Sequence, residues 1–384
     1  MARGTLLSER PSNRQLIGEN AVERIRNAGV AGAGGAGFPA YAKWERMRST
    51  DYLLVNHQES EPNYFIDKWL GKTRAAELAS LFDALLEDVF EAVVISAKWT
   101  DRDEYMIELE AATGGTVVRP DELPVDIETE SGVVFAYTEP RYQYGMESVL
   151  LNVVADTVIG SDIPTDHGWL VQNTETMTHI YRALTEETPV THTYVHVDGG
   201  VPRHRFLEVP IGTPASALLS AAGRPPETLP SDAMLATGGP GWCFEIERSA
   251  EEFGVRKATN GLLVLDEATV EENTLGDGRI DVIESTDWTA RPMETEPTET
   301  VEPDRVRIPL ITNSDLEGTV APGTPTVAPG ERVEAGDVVA TASSTGIGIP
   351  HHASIDGEVT GVTDSSIEIA VDATSEIGRS NRST

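Results

Sequence analysis

The chain has 384 residues, with 63 Asp plus Glu against 29 Lys plus Arg and a formal net charge of −34. That length leaves room for two or three domains with a sizeable core, while the charge argues against nonspecific nucleic-acid binding and against an anionic membrane surface. A single cysteine, Cys243, excludes an internal disulfide framework and any cysteine-ligated iron–sulfur cluster supplied by this chain alone.

Only five of the cations are Lys, against 24 Arg, and the acids recur along the whole chain. Dispersed acid with so little Lys points to a surface adapted to concentrated salt, where screening removes most of the self-repulsion, as in a halophilic archaeon. Residues 1–16 lack an apolar core long enough for a secretory signal. No apolar run approaches the roughly 20 residues of a spanning helix. The expectation is a soluble, cytoplasmic protein.

In chain order, ENAVERIRNA (19–28) has helical spacing and leads into AGVAGAGGAGFPAYAKW (28–44). Gly32, Gly34, Gly35 and Gly37 crowd this stretch, and Lys43 follows. Dense glycine lets backbone N–H groups approach an anion or a flat ring, and a nearby cation suits a phosphate. A tight connection is the other reading. YLLVN (52–56) reads as a buried strand that ends in the polar cluster Asn56-His57-Gln58-Glu59-Ser60-Glu61-Pro62. TRAAELASLFDALLEDVF (73–90) has a helical apolar face with Thr73 as a possible cap. AVVISA (92–97) is a second buried strand, 103–113 the next helix, 126–137 strand material and 145–156 another helix, with Glu147 in its first turn. WLVQNTETMTHIYRAL (169–184) is a strand followed by a helix. Gln172 and Asn173 between them suit either amide-like ring edges or helix capping. Alternating strands and helices predict a mostly parallel α/β sheet, whose ligands sit at the carboxyl ends of its strands.

The texture changes after Thr185. Residues 192–200 and 205–212 read as paired strands and 213–223 as a helix, the opening of a β-grasp module, with short strands over 236–246 and 260–268. Pro, Thr and Glu dominate 284–304, which reads as a linker. Beyond it, short strands split by Gly and Pro predict a small all-β sandwich or barrel, and the last residues read as a frayed tail. His351-His352 beside Asp356 reads as a structural turn rather than a metal site, and Cys243 as a packed thiol.

Read together, GAGGAGFPAYAKW (32–44), VNHQESEP (55–62) and LVQNTET (170–176) resemble the flavin-binding domain of the NADH-binding subunit of respiratory complex I. They are closer still to the C subunit of the Rnf electron-transport complex and to the cobalamin reductase of propanediol-utilisation compartments. HVDGGVPRHRFLEVPIGTPASALLSAAG and the GGP of 238–240 resemble the family's soluble-ligand-binding (SLBB) β-grasp domain, and the final β segment resembles its lipoyl-like sandwich. The resemblance divides the chain into an FMN-binding domain (1–187), an SLBB-like β-grasp domain (188–283), a linker (284–304), a barrel sandwich (305–373) and a tail (374–384). It implies FMN on the loop of Gly32, Gly34, Gly35 and Gly37, with Lys43 at its phosphate or ring oxygens. It places Asn56, Glu59 and Glu147 at the ribityl chain and ring edge, and Asn173 with Thr176 at the phosphate. It offers Phe38 and Glu61 as contacts to NADH; a core Phe and a helix-start carboxylate are the plainer readings. Gln58 and Ser148 stand where complex I has acids, and Met146 replaces a glycine. The family's Cys-x-x-Cys-x-x-Cys ferredoxin motifs are missing, the linker standing in their place. The implied function is oxidation of NADH through FMN, with electrons passed to an external acceptor protein or corrinoid and with no metal and no iron–sulfur cluster in this chain. The alternative is a non-catalytic flavin-fold scaffold or a partner-binding module.

Overall fold

A computed structural model describes residues 17–371 apart from 19, 128 and 314–317. The expected tail, 374–384, lies outside the described residues. Three β-systems follow one another along the chain.

In the first, YLLVN forms β1 (Tyr52–Asn56) and AVVISAK forms β2 (Ala92–Lys98), followed by β3 (Thr116–Val118), β4 (Gly132–Thr138) and β5 (Trp169–Asn173). All pair in parallel in the order β3-β4-β2-β1-β5. Successive residues alternate between two covered faces, as the pleat dictates. Leu53, Val55, Val93, Ile95 and Phe135 meet the helices Ala75–Asp88, Ile107–Thr113 and Thr174–Thr185, while Leu54, Val94, Val134 and Val171 meet Glu147–Ala155. The register sets Asn56 level with Asn173, so the carboxyl ends of β1 and β5 present two amides side by side.

Local differences from expectation have local causes. The helix expected over 103–113 begins as a π turn, Arg102–Met106. Strand β4 starts at Gly132 because Asp126 closes a turn, its carbonyl accepting from Thr129 and Glu130 N–H. Thr73 does not cap the helix after it. It ends a helix the sequence did not announce, Ile66–Thr73, where its hydroxyl donates to Trp69 O at 2.7 Å.

The second system holds β6 (His192–Gly199), β7 (Arg205–Pro210), β8 (Ala233–Gly239), β9 (Trp242–Glu245), β10 (Gly261–Asp266) and β11 (Glu299–Thr300), in the order β11-β7-β6-β10-β8-β9. The β6–β7 hairpin is followed by the helix Ala215–Ala221, whose Ala215, Leu218 and Leu219 pack on Val195, Val197 and Leu207. Residues 284–304, expected as a linker, are strapped along this sheet. Trp288 is buried, Glu294 pairs with Arg205 at 3.1 Å, and Glu299–Thr300 joins β7 as a strand. Two of the acids that suggested a linker, Glu294 and Glu299, serve here as partners for a buried arginine.

The third system is a sandwich of two small sheets. β12 (Arg305–Pro309), β14 (Arg332–Val333), β17 (Gly357–Val362) and β18 (Ser366–Ala370) form one; β13 (Thr324–Pro325), β15 (Val338–Thr341) and β16 (His351–His352) form the other. Val306, Ile308, Val339, Val359, Ile367 and Ile369 fill the space between. Among the described residues no helix is long and apolar enough to cross a membrane.

Candidate functional site

The glycine loop spans 30–39, between the helices Ala21–Asn27 and Ala40–Trp44. Gly32 N–H donates to Phe38 O at 2.8 Å and Gly37 N–H to Gly32 O at 2.7 Å, which closes its base. Thr176 reaches the loop from the helix Thr174–Thr185: its hydroxyl accepts from Ala33 N–H at 3.0 Å and donates to Asn173 Oδ1. Asn173 is the N-cap of that helix, Oδ1 accepting from Thr176 N–H at 3.0 Å. Capping engages Oδ1 and leaves Nδ2 beside Gly34, where a Cβ would approach within 3.1 Å and the backbone φ is +68°. Only glycine suits that approach and that conformation together. Gly34 and Ala36 are exposed, and their N–H groups take no partner among the described residues; Gly35 N–H donates to Ala258 O at 2.9 Å.

Replacing Thr176 by Val, of nearly equal volume, strands Ala33 N–H in a buried place. Denaturant titration is expected to show a loss of about 1.5 kcal/mol that Thr176→Ser largely spares. A Val variant as stable as the parent would mean the loop is not held through this hydroxyl.

The polar run after β1 is more engaged with the protein itself than the sequence suggests. Asn56 Nδ2 donates to Gly145 O at 2.8 Å, and its Oδ1 accepts from Gln58 N–H at 3.2 Å. Glu59 Oε2 accepts from Asp67 N–H at 2.7 Å, at the start of the helix Ile66–Thr73, and its carbonyl accepts from Lys98 Nζ at 2.8 Å. Burial pushes the Glu59 carboxyl up to about 7 against the pull of Lys68. Burial, with Glu59 and Glu175 adding to it, also holds the Asp67 carboxyl well above its usual range. Lys43 Nζ donates to Glu147 Oε2 at 3.2 Å and to Val171 O at 3.3 Å, so its charge is already paired. Gln58 is buried between Ser96 and Thr138, off the cavity wall.

One cavity of about 1060 Å³ gathers Gly32, Gly34, Gly35, Phe38, Lys43, Asn56, Glu59, Glu61, Glu147, Asn173 and Thr176 on its wall. Phe38 is half-buried there rather than a core residue. Gly37 is the exception. It faces the sandwich instead, with a Cβ position 2.5 Å from Asn313 Cβ and a carbonyl that accepts from the Thr312 hydroxyl. Asn313 Nδ2 donates to Gly35 O at 3.0 Å and Ala36 O at 3.3 Å, so the third β-system braces the loop. Asp67, Tyr142, Trp242, Arg256, Ala258 and Asn313 also line the cavity and carried no signal in the sequence, because docking of distant segments brings them there.

Glu61, which the resemblance implies as a dinucleotide contact, lines the cavity and is also engaged by the protein. It is buried, its Oε1 accepting from the Tyr142 hydroxyl at 2.8 Å and its Oε2 from Gly241 N–H at 2.9 Å. It anchors the β8–β9 turn of the second system onto the first. Burial raises its carboxyl pKa.

The donor set fits a flavin mononucleotide. The loop offers N–H groups for a phosphate, and Gln172 is buried at the cavity wall with an Nε2 that, like those groups, has no hydrogen-bond partner among the described residues. Such an orphan costs free energy unless a ligand edge accepts from it.

The first β-system has the fold of a parallel-sheet α/β flavin-binding domain. Residues 25–182 match the family described as the Nuo51 FMN-binding domain. The chain is 31% identical over 245 residues to cobalamin reductase PduS of Citrobacter freundii, covering 63% of this chain and 49% of that protein. It is 31% identical over 206 residues to the C subunit of the ion-translocating oxidoreductase complex of Pseudomonas aeruginosa, covering 53% of this chain and 25% of that one. The chain thus spans between a quarter and half of these relatives. A solved NAD+-reducing [NiFe]-hydrogenase shares the fold with a TM-score of 0.51 and 19% identity, over 68% of this chain and 50% of that one.

Proposed function

We propose that the chain is an FMN-dependent electron-transfer protein that oxidises NADH and passes electrons to an external acceptor, a partner protein or a corrinoid. The observation that carries this reading is the orphaned Gln172 Nε2 facing the same cavity as the unpartnered Gly34 and Ala36 N–H groups. The chemistry such a cofactor supplies is two-electron uptake from a nicotinamide and one-electron release to an acceptor. In this reading Gly34, Ala36 and Asn173 Nδ2 hold the phosphate, Gln172 meets the ring edge, and Lys43, positioned by Glu147, faces the bound anion. Glu59 and Asp67, with carboxyls raised by burial, supply protonatable groups on the wall. Cys243 is buried, its thiol pushed up to about 12 by burial, which suits packing and not ligation of a cluster. An external acceptor is the reading in keeping with this. The second and third β-systems fit the SLBB-like and lipoyl-like roles that the resemblance implies, and the acidic surface fits a salt-rich cytoplasm.

The occupation of Glu61 by Tyr142 and Gly241 favours a second reading, a flavin-fold scaffold without dinucleotide chemistry. One titration separates the two. Purified chain is expected to take up one FMN per molecule, with quenching of the flavin fluorescence, and NADH is expected to bleach the bound flavin anaerobically. No uptake of FMN overturns the flavin reading altogether, and uptake without bleaching by NADH leaves the scaffold.

A further inference from the structure

The cavity extends beyond what the glycine loop and β1 enclose. Its far wall comes from the second β-system, where Trp242 of β9 and Arg256 face the same space. Trp242 is 45% exposed, an unusual position for so large an apolar ring. Yet the ring is not loose. The Arg279 guanidinium lies 4.5 Å from its centroid, and Arg279 itself pairs with Asp281 at 3.6 Å.

The backbone beneath the ring is fixed as well. Trp242 follows Gly241, whose N–H is held by Glu61. Gly239 and Gly241 press so closely on Glu61 and Tyr142 that a Cβ at either would lie 2.2 or 2.4 Å from them. Glu61 thus holds the backbone that carries the indole. An aromatic face held in advance at a cavity wall is suited to stacking a planar base, because little freedom remains to be lost on binding. Arg256 stands two residues before Ala258, whose carbonyl holds Gly35 N–H at 2.9 Å, so the wall and the glycine loop are tied together. Glu245, Glu247 and Asp277 share this wall. Carboxylates at a ribose accept from a free 2′-hydroxyl and repel a 2′-phosphate.

We propose that the β8–β9 hairpin is the second wall of the dinucleotide site, Trp242 stacking the base of the adenosine half, Arg256 meeting the diphosphate and the three carboxylates excluding a 2′-phosphate. This rests on the NADH reading above and adds to it a role for residues outside the flavin-binding domain. The indole acts as a positioning and specificity surface, away from the reacting atoms.

The test uses the full chain loaded with FMN, and NAD+ as an unreactive probe. Calorimetry is expected to show Trp242→Ala weakening NAD+ about tenfold and Trp242→Phe less than about threefold, with FMN stoichiometry and affinity unchanged in both. NAD+ is expected to quench tryptophan fluorescence in the parent and much less in Trp242→Phe. NADP+ is expected to bind at least about tenfold more weakly than NAD+, the gap narrowing when Glu245 and Glu247 are both replaced by Gln. Unchanged NAD+ affinity in Trp242→Ala, with FMN retained, overturns the stacking wall alone. Loss of FMN together with NAD+ in Trp242→Ala assigns the indole to hairpin packing and also overturns it. A parent protein that takes FMN but binds no NAD+ overturns the dinucleotide reading on which the proposal rests.

Discussion

Glu61→Ala is expected to lower the unfolding free energy by about 3 kcal/mol, measured by denaturant titration at fixed salt. The side chain is 7% exposed and accepts two hydrogen bonds across the junction of two β-systems. Its removal leaves Gly241 N–H and the Tyr142 hydroxyl facing a void. Each buried donor left without its acceptor costs about 1–3 kcal/mol, and relief of the carboxyl group's own desolvation offsets part of that sum. Glu61→Gln separates charge from geometry. Its Oε1 still accepts from Gly241 N–H, and its Nε2 donates to the Tyr142 oxygen, because a hydroxyl can reverse its role while a backbone N–H cannot. The expected cost of Gln at neutral pH is therefore under about 1 kcal/mol. The pH dependence also has a definite sign. Burial raises the folded-state pKa of Glu61 above 4.5, so its contribution is fully present below that value and is lost as pH rises through the folded pKa. Glu61→Gln lacks this loss and should gain on the parent as pH rises. An Ala variant as stable as the parent would remove Glu61 as the anchor.

How much of this is legible in the sequence depends on whether the relevant physics is local. YLLVN and AVVISA can be read as buried strands because both faces of β1 and β2 are covered, leaving uninterrupted apolar runs. Gly32, Gly34, Gly35, Asn56, Glu59, Asn173 and Thr176 come to one cavity because a parallel register sets β1 and β5 side by side at their carboxyl ends. Gly37 turns from the cavity, and Glu61 on its wall is engaged by the protein itself, through neighbours that lie far along the chain. Gly241 is 180 residues from Glu61, and Thr312 is 275 from Gly37. The same distance hides Ala258 and Asn313, which hold the glycine loop from the other two β-systems. Composition misleads at 284–304 because a Pro- and Glu-rich strand bound to an arginine has the residue content of a solvated linker.

The stability of the parent, relative to Lys257→Met, is expected to rise by about 2 kcal/mol between pH 7 and 9. Lys257 lies where the three β-systems meet. It is 5% exposed and donates to Gly29 O at 2.6 Å in the first and to Pro350 O at 3.5 Å in the third. Burial alone brings its ammonium down to about 7 from an ordinary 10.5. Between those values the unfolded chain binds a proton that the folded chain does not, so stability rises with pH across the window and falls as pH drops toward 7. The groups packed against it do not titrate there. His351 and His352 are both held at about 3 by burial and by Lys257 itself, and are neutral throughout. Lys98, also lowered by burial, and Cys243 titrate alike in both proteins, so the difference between parent and variant isolates Lys257. Urea titrations of both proteins at pH 7, 8 and 9 would measure it. A constant difference across the three would mean that Lys257 keeps its proton in the folded chain. The junction beneath the glycine loop would then be held by a charged ammonium and not by a neutral amine.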